Sequence, residues 1–180
     1  MIEQSMKAQE DSRPALCWTF LSAGARLSLL LGYHRRDVLE SDPPAVAESK
    51  RRVFWMLYMT DKILSLNLGR VSNFSDHDID TPMFTISEIP EHRPWDDMFA
   101  RCVLLSQIIG RIYDEVYSAK ARLKSPEMKV RMVEELASSL YHWYHEFKKV
   151  STTSCIISFG SNCVEQRLIQ ARLLVKKIYL

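Results

Sequence analysis

The fold of this chain is decided by residues 48–82, ESKRRVFWMLYMTDKILSLNLGRVSNFSDHDIDTP. The first twenty-one of these residues predict one helix, because a charged start leads into the apolar run 53–59 and then into further leucines. A helix that is apolar on most of its faces is a buried helix. Gly69 marks its end, since glycine readily adopts the left-handed turn that closes many helices. The segment therefore predicts a buried helix that leads into a loop with three aspartates.

The bulk composition is that of one globular domain. The chain has 180 residues, of which 47% are hydrophobic and 26% charged, and such values are typical of a folded protein. The longest apolar stretch, residues 14–32, is interrupted by Arg26 and predicts a core helix rather than a membrane span. No signal peptide is recognisable, and the four cysteines are scattered, as in proteins of a reducing compartment. We expect a soluble, intracellular protein.

The charge is small overall and unevenly distributed. The formal net charge is +2, yet residues 148–180 carry six basic side chains and one acidic one, which leaves about −3 on residues 1–147. DNA-binding domains usually present a dense basic face. The body of the chain has no such face, so we expect no direct DNA contact from it.

Helical spacing of apolar residues recurs outside the opening stretch. It predicts helices over residues 14–32, 95–120, 126–147 and 164–179, and no stretch alternates long enough to build a sheet. The fold class is therefore predicted to be all-α, a helical bundle of about five helices with a long acidic loop between the second and third. That loop, residues 70–94, is long for a compact domain, and such loops are often functional.

The aspartates of this loop invite a test for calcium binding. Asp76, Asp78 and Asp80 match the start of a calcium loop, but its sixth and twelfth positions are Thr81 and Ser87 instead of glycine and glutamate. We therefore expect these carboxylates to cap backbone amides or to pair with arginines.

Two histidines of the fourth predicted helix invite a test for a metal. His142 and His145 lie three residues apart, with Glu146 beside them. A zinc site needs three or four ligands, and the H-E-x-x-H arrangement is absent. We interpret the two histidines as surface or interface residues. No phosphate-binding or nucleophile motif occurs either, and no catalytic, cofactor-binding or metal-binding residue is predicted.

The basic residues at the start of the opening helix need an explanation. Lys50, Arg51 and Arg52 lie where the helix dipole disfavours cations, so acidic partners are expected. Asp61 and the aspartate loop supply candidates. We predict an internal ion-pair frame that ties helix to loop, made of Arg51, Arg52, Asp61, Arg70, Asp78 and Asp80.

An ordered set of short motifs resembles a known family. It begins with Cys17-Trp18 and Gly32-Tyr33-His34-Arg35-Arg36-Asp37 and continues with E-x-x-R-R-x-x-W-x-x-Y-x-x-D, which runs from Glu48 to Asp61. Then follow L-S-L-x-L-G-R from Leu64, D-x-D-I-D-T-P from Asp76, L-S-Q-I-I-G-R-I-Y from Leu105 and L-x-x-x-L-x-x-W from Leu136. This set resembles the regulatory domain, or middle homology region, of fungal zinc binuclear cluster transcription factors.

The resemblance implies a helical regulatory domain over residues 1–147, present only in part, and a divergent basic segment over residues 148–180. It implies a nuclear protein that controls transcription by RNA polymerase II. Its partners would be proteins of the transcription machinery or a repressor, with a small-molecule effector in some members. Zinc and DNA would be bound by a six-cysteine cluster that this chain lacks, so no cofactor is expected here. Val71 replaces a frequent proline, and the chain is expected to be a fragment or a divergent member.

Two alternatives to a regulatory domain remain at this stage. One is a helical metal-dependent enzyme that uses the acidic loop with His142 and His145, and the other is a non-catalytic helical interaction scaffold. In the favoured interpretation the opening stretch is a structural signature and not a catalytic site. Its predicted residues are Arg51, Arg52, Trp55, Tyr58, Asp61, Gly69, Arg70, Asp78 and Asp80.

Overall fold

The structure, a computed structural model, describes residues 2–10 and 13–151 of the chain. All regular elements in these ranges are helical, so the all-α prediction is confirmed. The α-helices are α1 (Ile2–Glu10), α2 (Pro14–Leu30), α3 (Arg36–Glu40), α4 (Pro44–Leu68), α5 (Arg93–Ile112), α6 (Ala119–Arg122) and α7 (Pro126–Ser151). A 3-10 turn occupies Asp76–Asp78 and a π-helical turn occupies Tyr113–Tyr117. None of the described helices is long and apolar enough to cross a membrane.

The helix count differs from the predicted five or so. Apolar periodicity does not reveal α1, α3 and α6, which have nine, five and four residues, because a helical repeat needs a longer window. The helix predicted over residues 95–120 is divided, since the backbone leaves the helical conformation at Ser118, whose side chain caps α6 at the amide of Ala121. The helix predicted over residues 164–179 lies outside the described residues.

The boundaries of α4 follow from its sequence. Pro44 occupies the first turn, where a missing N–H costs nothing. At the other end Gly69 is left-handed, with φ of 62°. Its N–H donates to the carbonyl of Leu66 at 3.2 Å, and the N–H of Arg70 donates to the carbonyl of Ser65 at 2.8 Å. Two such bonds satisfy carbonyls that the end of a helix leaves free, so Gly69 ends α4 as predicted.

The chain forms two compact units, Met1–Thr85 and Ile86–Leu180. In the first unit α1 packs on α2, and both α2 and α3 pack on α4. Its core contains an aromatic cluster from α4 and the loop that follows it: Phe54, Trp55, Tyr58 and Phe74. The Phe54 ring lies edge-on to the rings of Trp55 and Phe74, with centroids 5.2 and 5.4 Å apart. The predicted burial of α4 is therefore confirmed on this face.

The second unit is built around α5 and α7, which pack on each other. The apolar stripe of α7 is buried as predicted, with Val133 and Leu136 at its centre. Trp143 donates its indole N–H to the carbonyl of Arg101 at 2.9 Å and stacks on Phe147 with centroids 5.2 Å apart. A buried indole usually finds such a partner, and this one fixes the register of the two helices.

Candidate functional site

A buried carboxylate on α4 holds the start of the loop that follows the helix. Asp61 has no exposed surface. One of its oxygens, Oδ2, accepts the hydroxyl of Ser72 at 2.6 Å and the backbone N–H of Asn73 at 2.9 Å, and Oδ1 accepts the side-chain amide of Asn73 at 2.7 Å. A buried charge is costly unless it is hydrogen-bonded in this way. Asp61 therefore fixes the path of the loop on α4.

The next residue of α4 makes a second set of contacts with the same loop. The ammonium group of Lys62, which is 3% exposed, donates to the carbonyl of Phe74 at 2.9 Å and pairs with Asp76 at 2.9 Å. The Tyr58 hydroxyl donates to the same Asp76 oxygen at 2.9 Å, and its ring centroid lies 5.2 Å from the Lys62 nitrogen. We call this set the polar clamp, defined as Tyr58, Asp61, Lys62, Ser72, Asn73 and Asp76.

Residues 82–85, further along the loop, are held by residues nearer the start of α4. Glu48 accepts the backbone N–H of Thr85 at 2.9 Å, while Arg52 donates to the carbonyl of Thr85 at 2.7 Å. The guanidinium of Arg52 also stacks on Phe84, 4.8 Å from the ring centroid. Trp55 donates its indole N–H to the carbonyl of Pro82 at 3.0 Å. Residues 72–76 and 82–85 of the loop are therefore both bonded to α4.

The predicted ion-pair frame is wrong in its partners. Arg51 pairs with Glu48 at 3.4 Å, and the Arg70 guanidinium lies over the Trp18 ring, 4.5 Å from its centroid. Asp61 binds amides and a hydroxyl instead of an arginine. The physical reason is location, because the arginines at the start of α4 are about two or more helical turns from Asp61 and find Glu48 within one turn.

The two remaining loop aspartates of that frame have different roles. Asp80 accepts the backbone N–H of Arg36 at 2.7 Å, where α3 begins. This contact is the backbone-capping use that the sequence offered as one option. The Asp78 carboxylate makes no hydrogen bond or ion pair within the described residues. The roles of Glu48, Lys62 and Asn73 were not predicted, although a lysine next to Asp61 on a helix predicted to be buried indicates a buried partner for its charge.

Beside the polar clamp lies an open cleft of about 580 Å³. Its lining comes from the end of α2, the turn before α3 and the loop: Leu29, His34, Arg35, Asn73, Ser75 and residues 77–80. The carbonyl of His34 accepts the N–H groups of Asp80 and Thr81 at 3.2 and 3.1 Å, which joins the two walls. Asn73 belongs to both the cleft and the clamp, and it also donates to Ser22 of α2 at 3.1 Å. The position of Asn73 in the lining is therefore fixed by its bonds to Asp61 and Ser22.

Some polar and charged groups of the cleft have bonding partners and others do not. Arg35 is paired with Asp37 at 2.7 Å, and Asp37 does not belong to the lining. The Nδ1 atom of His34 is buried and has no hydrogen-bond partner in the part of the chain that the structure describes. Such a buried, unpaired atom is uncommon in a folded protein. The lining thus combines the half-buried side chains of Leu29 and Ile79 with polar residues, and the Nδ1 atom of His34 is closed to solvent.

The histidines of the enzyme alternative lie elsewhere. His142 and His145 are exposed on α7, and the ring of His145 packs on Tyr141 with centroids 4.2 Å apart. No group of three or more histidine, cysteine, aspartate or glutamate side chains that could hold a metal ion occurs among residues 2–10 and 13–151.

Two side chains of the second unit have shifted pKa values. Burial raises the pKa of Tyr117. The pKa of Glu127 is lowered mainly by a hydrogen bond from its own backbone and to a lesser extent by one from the Ser125 side chain.

Comparison with known proteins points to one family. The model described as "Fungal specific transcription factor domain" matches residues 5–145. An uncharacterized transcriptional regulatory protein of Schizosaccharomyces pombe is 28% identical over 143 residues, which cover 74% of this chain and 19% of that protein. The ABC-transporter-regulating transcription factor of Aspergillus fumigatus is 28% identical over 151 residues, 79% of this chain and 17% of that protein.

A further relative is the negative regulator of pleiotropic drug resistance STB5 of Candida glabrata. It is 32% identical over 136 residues, which cover 72% of this chain and 13% of that protein. The chain thus spans 13–19% of the length of these three relatives. No solved structure matches the chain.

Proposed function

Because the chain belongs to the family of fungal specific transcription factor domains, we propose that it is the regulatory domain of a fungal zinc-cluster-type transcription factor. The observation that carries this proposal is the family match over residues 5–145, a range that contains the polar clamp and the cleft. The names of the relatives, all transcription regulators, support the same role. In this proposal the domain controls transcription by RNA polymerase II through contacts with a protein or a small ligand.

The remaining features of the proposal follow from the family. The domain works in the nucleus and catalyses no reaction. Its protein partners are components of the transcription machinery or a repressor. Zinc and DNA are bound by a six-cysteine cluster of the full-length protein and not by these residues. The regulatory domain extends over residues 1–147, and residues 148–180 form a separate basic segment. The nine signature residues around α4 serve its architecture.

The polar clamp supports a regulatory mechanism of this kind. Contacts of residues 72–85 of the loop make its position depend on buried groups of α4, such as Asp61 and Lys62. A partner or ligand that touches the loop therefore acts on α4 as well, because the buried bonds resist independent movement. Signals received at the loop are transmitted to the helix in this way.

The proposal is tested by tethering residues 1–180 to a heterologous DNA-binding domain upstream of a reporter gene in a yeast. We expect transcription to rise or fall relative to the DNA-binding domain alone. Trp55→Ala should abolish the effect because it removes a core aromatic, whereas Trp95→Ala should keep it because this side chain is 59% exposed. A fusion that accumulates to the level of the control and leaves transcription unchanged would contradict the proposal.

The genomic context provides a second test. An in-frame six-cysteine cluster upstream of this reading frame would place the chain in a zinc-cluster transcription factor, as we expect. A full-length transcript that encodes no such cluster would contradict the assignment to a zinc-cluster protein.

A further inference from the structure

The dipeptide that proline-directed protein kinases recognise, a serine or threonine followed by proline, occurs twice in the chain, as Thr81-Pro82 and Ser125-Pro126. Thr81 is 5% exposed, and its backbone N–H donates to the carbonyl of His34 at 3.1 Å, so the fold withholds it from a kinase. Ser125 is exposed. The fold therefore leaves one of the two dipeptides accessible.

The segment around Ser125 suits the substrate groove of a kinase, which binds an extended chain. Residues 123–125 lie outside both α6 and α7, and the side chain of Leu123 is 87% exposed. On the amino-terminal side α6 has only four residues. Because so short a helix gains few hydrogen bonds for the cost of its nucleation, this side of the segment opens at a small cost in free energy.

The dipeptide also has a structural role at the start of α7. Oγ of Ser125 accepts the backbone N–H of Met128 at 3.3 Å, and Pro126 is the first residue of the helix. Serine and proline are favoured at these two positions of any helix. The role as a cap explains the dipeptide by itself, but it does not explain the charges that surround it.

Those charges have the sign that the start of a helix disfavours. Residues 119–130 contain four basic side chains and one acidic one, which gives +3, although the helix dipole places positive charge at the same point. Lys129 donates to the carbonyl of Arg122 at 3.2 Å, which keeps its ammonium group beside the residues that precede Ser125. The side chains of Lys120 and Arg122 make no hydrogen bond or ion pair within residues 2–10 and 13–151. This cluster lacks an anion, which a phosphate group on Ser125 would supply.

We propose that Ser125 is a phosphorylation site for a proline-directed protein kinase. The γ-phosphoryl group of ATP is transferred to Oγ of Ser125. A bond from Oγ to phosphorus forms, the bond from that phosphorus to the oxygen of the β-phosphate breaks, ADP leaves, and the hydroxyl proton passes to the kinase.

The phosphate on Ser125 gains more contacts than it loses. It accepts N–H groups of the first turn of α7 and pairs with Lys129 and Arg122, whereas Glu127 is the one acidic side chain of residues 119–130 that repels it. The charge of this segment falls from +3 to about +1, so its surface attracts different partners in the two states. The inference goes beyond the proposed function and does not depend on it.

The test incubates the 180-residue chain with ATP, Mg²⁺ and a purified cyclin-dependent protein kinase, and mass spectrometry locates the phosphate. We expect phosphate at Ser125 and none at Thr81. Ser125→Asn removes the hydroxyl but keeps a favoured capping side chain, so this variant should fold and lose the incorporation. Circular dichroism checks its helical content, and a synthetic peptide of residues 119–131 shows that the kinase is active on the sequence.

Titration of the phosphorylated chain by ³¹P NMR tests the contacts of the phosphate. The second pKa of phosphoserine is roughly 6, and it should be at least about 0.3 unit lower in the chain than in the phosphorylated peptide, because only the chain presents an ordered helix start. Lys129→Gln should raise this pKa in the chain. Arg131→Gln removes a cation that is paired with Glu135 at 3.0 Å and should leave the pKa unchanged.

The outcomes decide between an accessible site and a helix cap that only resembles one. A folded chain that stays unphosphorylated, with or without phosphorylation of the peptide, overturns the inference, and so does incorporation that persists in Ser125→Asn. Equal pKa values of the phosphate in chain and peptide, or equal effects of Lys129→Gln and Arg131→Gln, overturn the proposed contacts.

Discussion

Asn73 is bonded twice to Asp61, once through its backbone N–H at 2.9 Å and once through its side-chain amide at 2.7 Å. The two bonds reach different oxygens of one buried carboxylate. The side-chain amide and the backbone N–H of Asn73 thus supply two of the three hydrogen bonds described for the buried carboxylate of Asp61. The contact joins a helix to a loop that begins several residues later in the sequence. It fixes one wall of the cleft.

Asn73→Ala should destabilise the protein by about 2 kcal/mol. The substitution removes the 2.7 Å bond and leaves Oδ1 of Asp61 buried without that donor. The midpoint of urea unfolding, followed by circular dichroism, measures the change. Asn67→Ala is the matched control, since Asn67 is exposed on α4 and its loss should change stability by less than about 0.5 kcal/mol. Equal midpoints for the two variants would show that the side-chain bonds of Asn73 contribute nothing to stability.

Lys62→Met should destabilise the protein by roughly 2 kcal/mol. The variant keeps the apolar stem but leaves the carbonyl of Phe74 and the carboxylate of Asp76 without their cation. The cost is moderate because the Asp76 side chain is 36% exposed and water replaces part of the pairing. Thermal unfolding of the variant measures it.

The control for Lys62 is Lys50→Met on the same helix. Lys50 pairs with Asp42 at 2.8 Å, but its side chain is 26% exposed, so this loss should cost less than about 1 kcal/mol. Adding Asp76→Asn to both backgrounds gives a coupling energy, expected to be at least about 0.5 kcal/mol for Lys62 and near zero for Lys50. A coupling near zero for Lys62 would contradict the pairing.

Trp55→Ala and Tyr58→Ala should each destabilise the protein by about 3–5 kcal/mol, because both rings lie in the aromatic cluster and are 4% and 1% exposed. Each variant also loses a hydrogen bond to the loop. Urea unfolding measures the loss, and Trp95→Ala, at 59% exposure, is expected to change little. A Trp55→Ala protein that melts like the parent would remove α4 from the centre of the fold.

Gly32→Ala should cost more stability than Gly69→Ala. Both residues are left-handed, with φ of 74° and 62°, so both substitutions carry about 1 kcal/mol of backbone strain. A methyl group at Gly32 would lie 2.9 Å from a methyl carbon of Val38, whereas nothing lies within 4 Å at Gly69. The crowding should add roughly 1–3 kcal/mol.

Val38→Ala tests the cause of that difference. In the double variant Gly32→Ala/Val38→Ala most of the extra cost should disappear, since the two methyl carbons nearest the new methyl group are removed and only Cβ of residue 38, at 3.3 Å, remains. Thermal unfolding of the four proteins provides the comparison. If Gly32→Ala and Gly69→Ala melt together, crowding at Val38 plays no part.

The sequence by itself determined the fold class, the burial of α4 and its end at Gly69. These features depend on spacings of three and four residues and on the conformation of one glycine, which are local properties of the chain. The family resemblance was also readable, because its motifs occur in order along the chain. The short helices α1, α3 and α6 were not predicted, because four to nine residues are too few to show a helical periodicity.

Only the tertiary structure decided which charged groups meet. The sequence suggested arginine partners for Asp61. In the structure Asp61 is bonded to Ser72 and Asn73, and Lys62 pairs with Asp76. The path of the loop determines these pairs, and that path follows from burial of Phe74 against the aromatic residues of α4. A carboxylate bonds to the donors that the folded backbone brings within about 3 Å, and distance along the sequence does not specify them. The cleft has the same origin, because its lining comes from three separate segments.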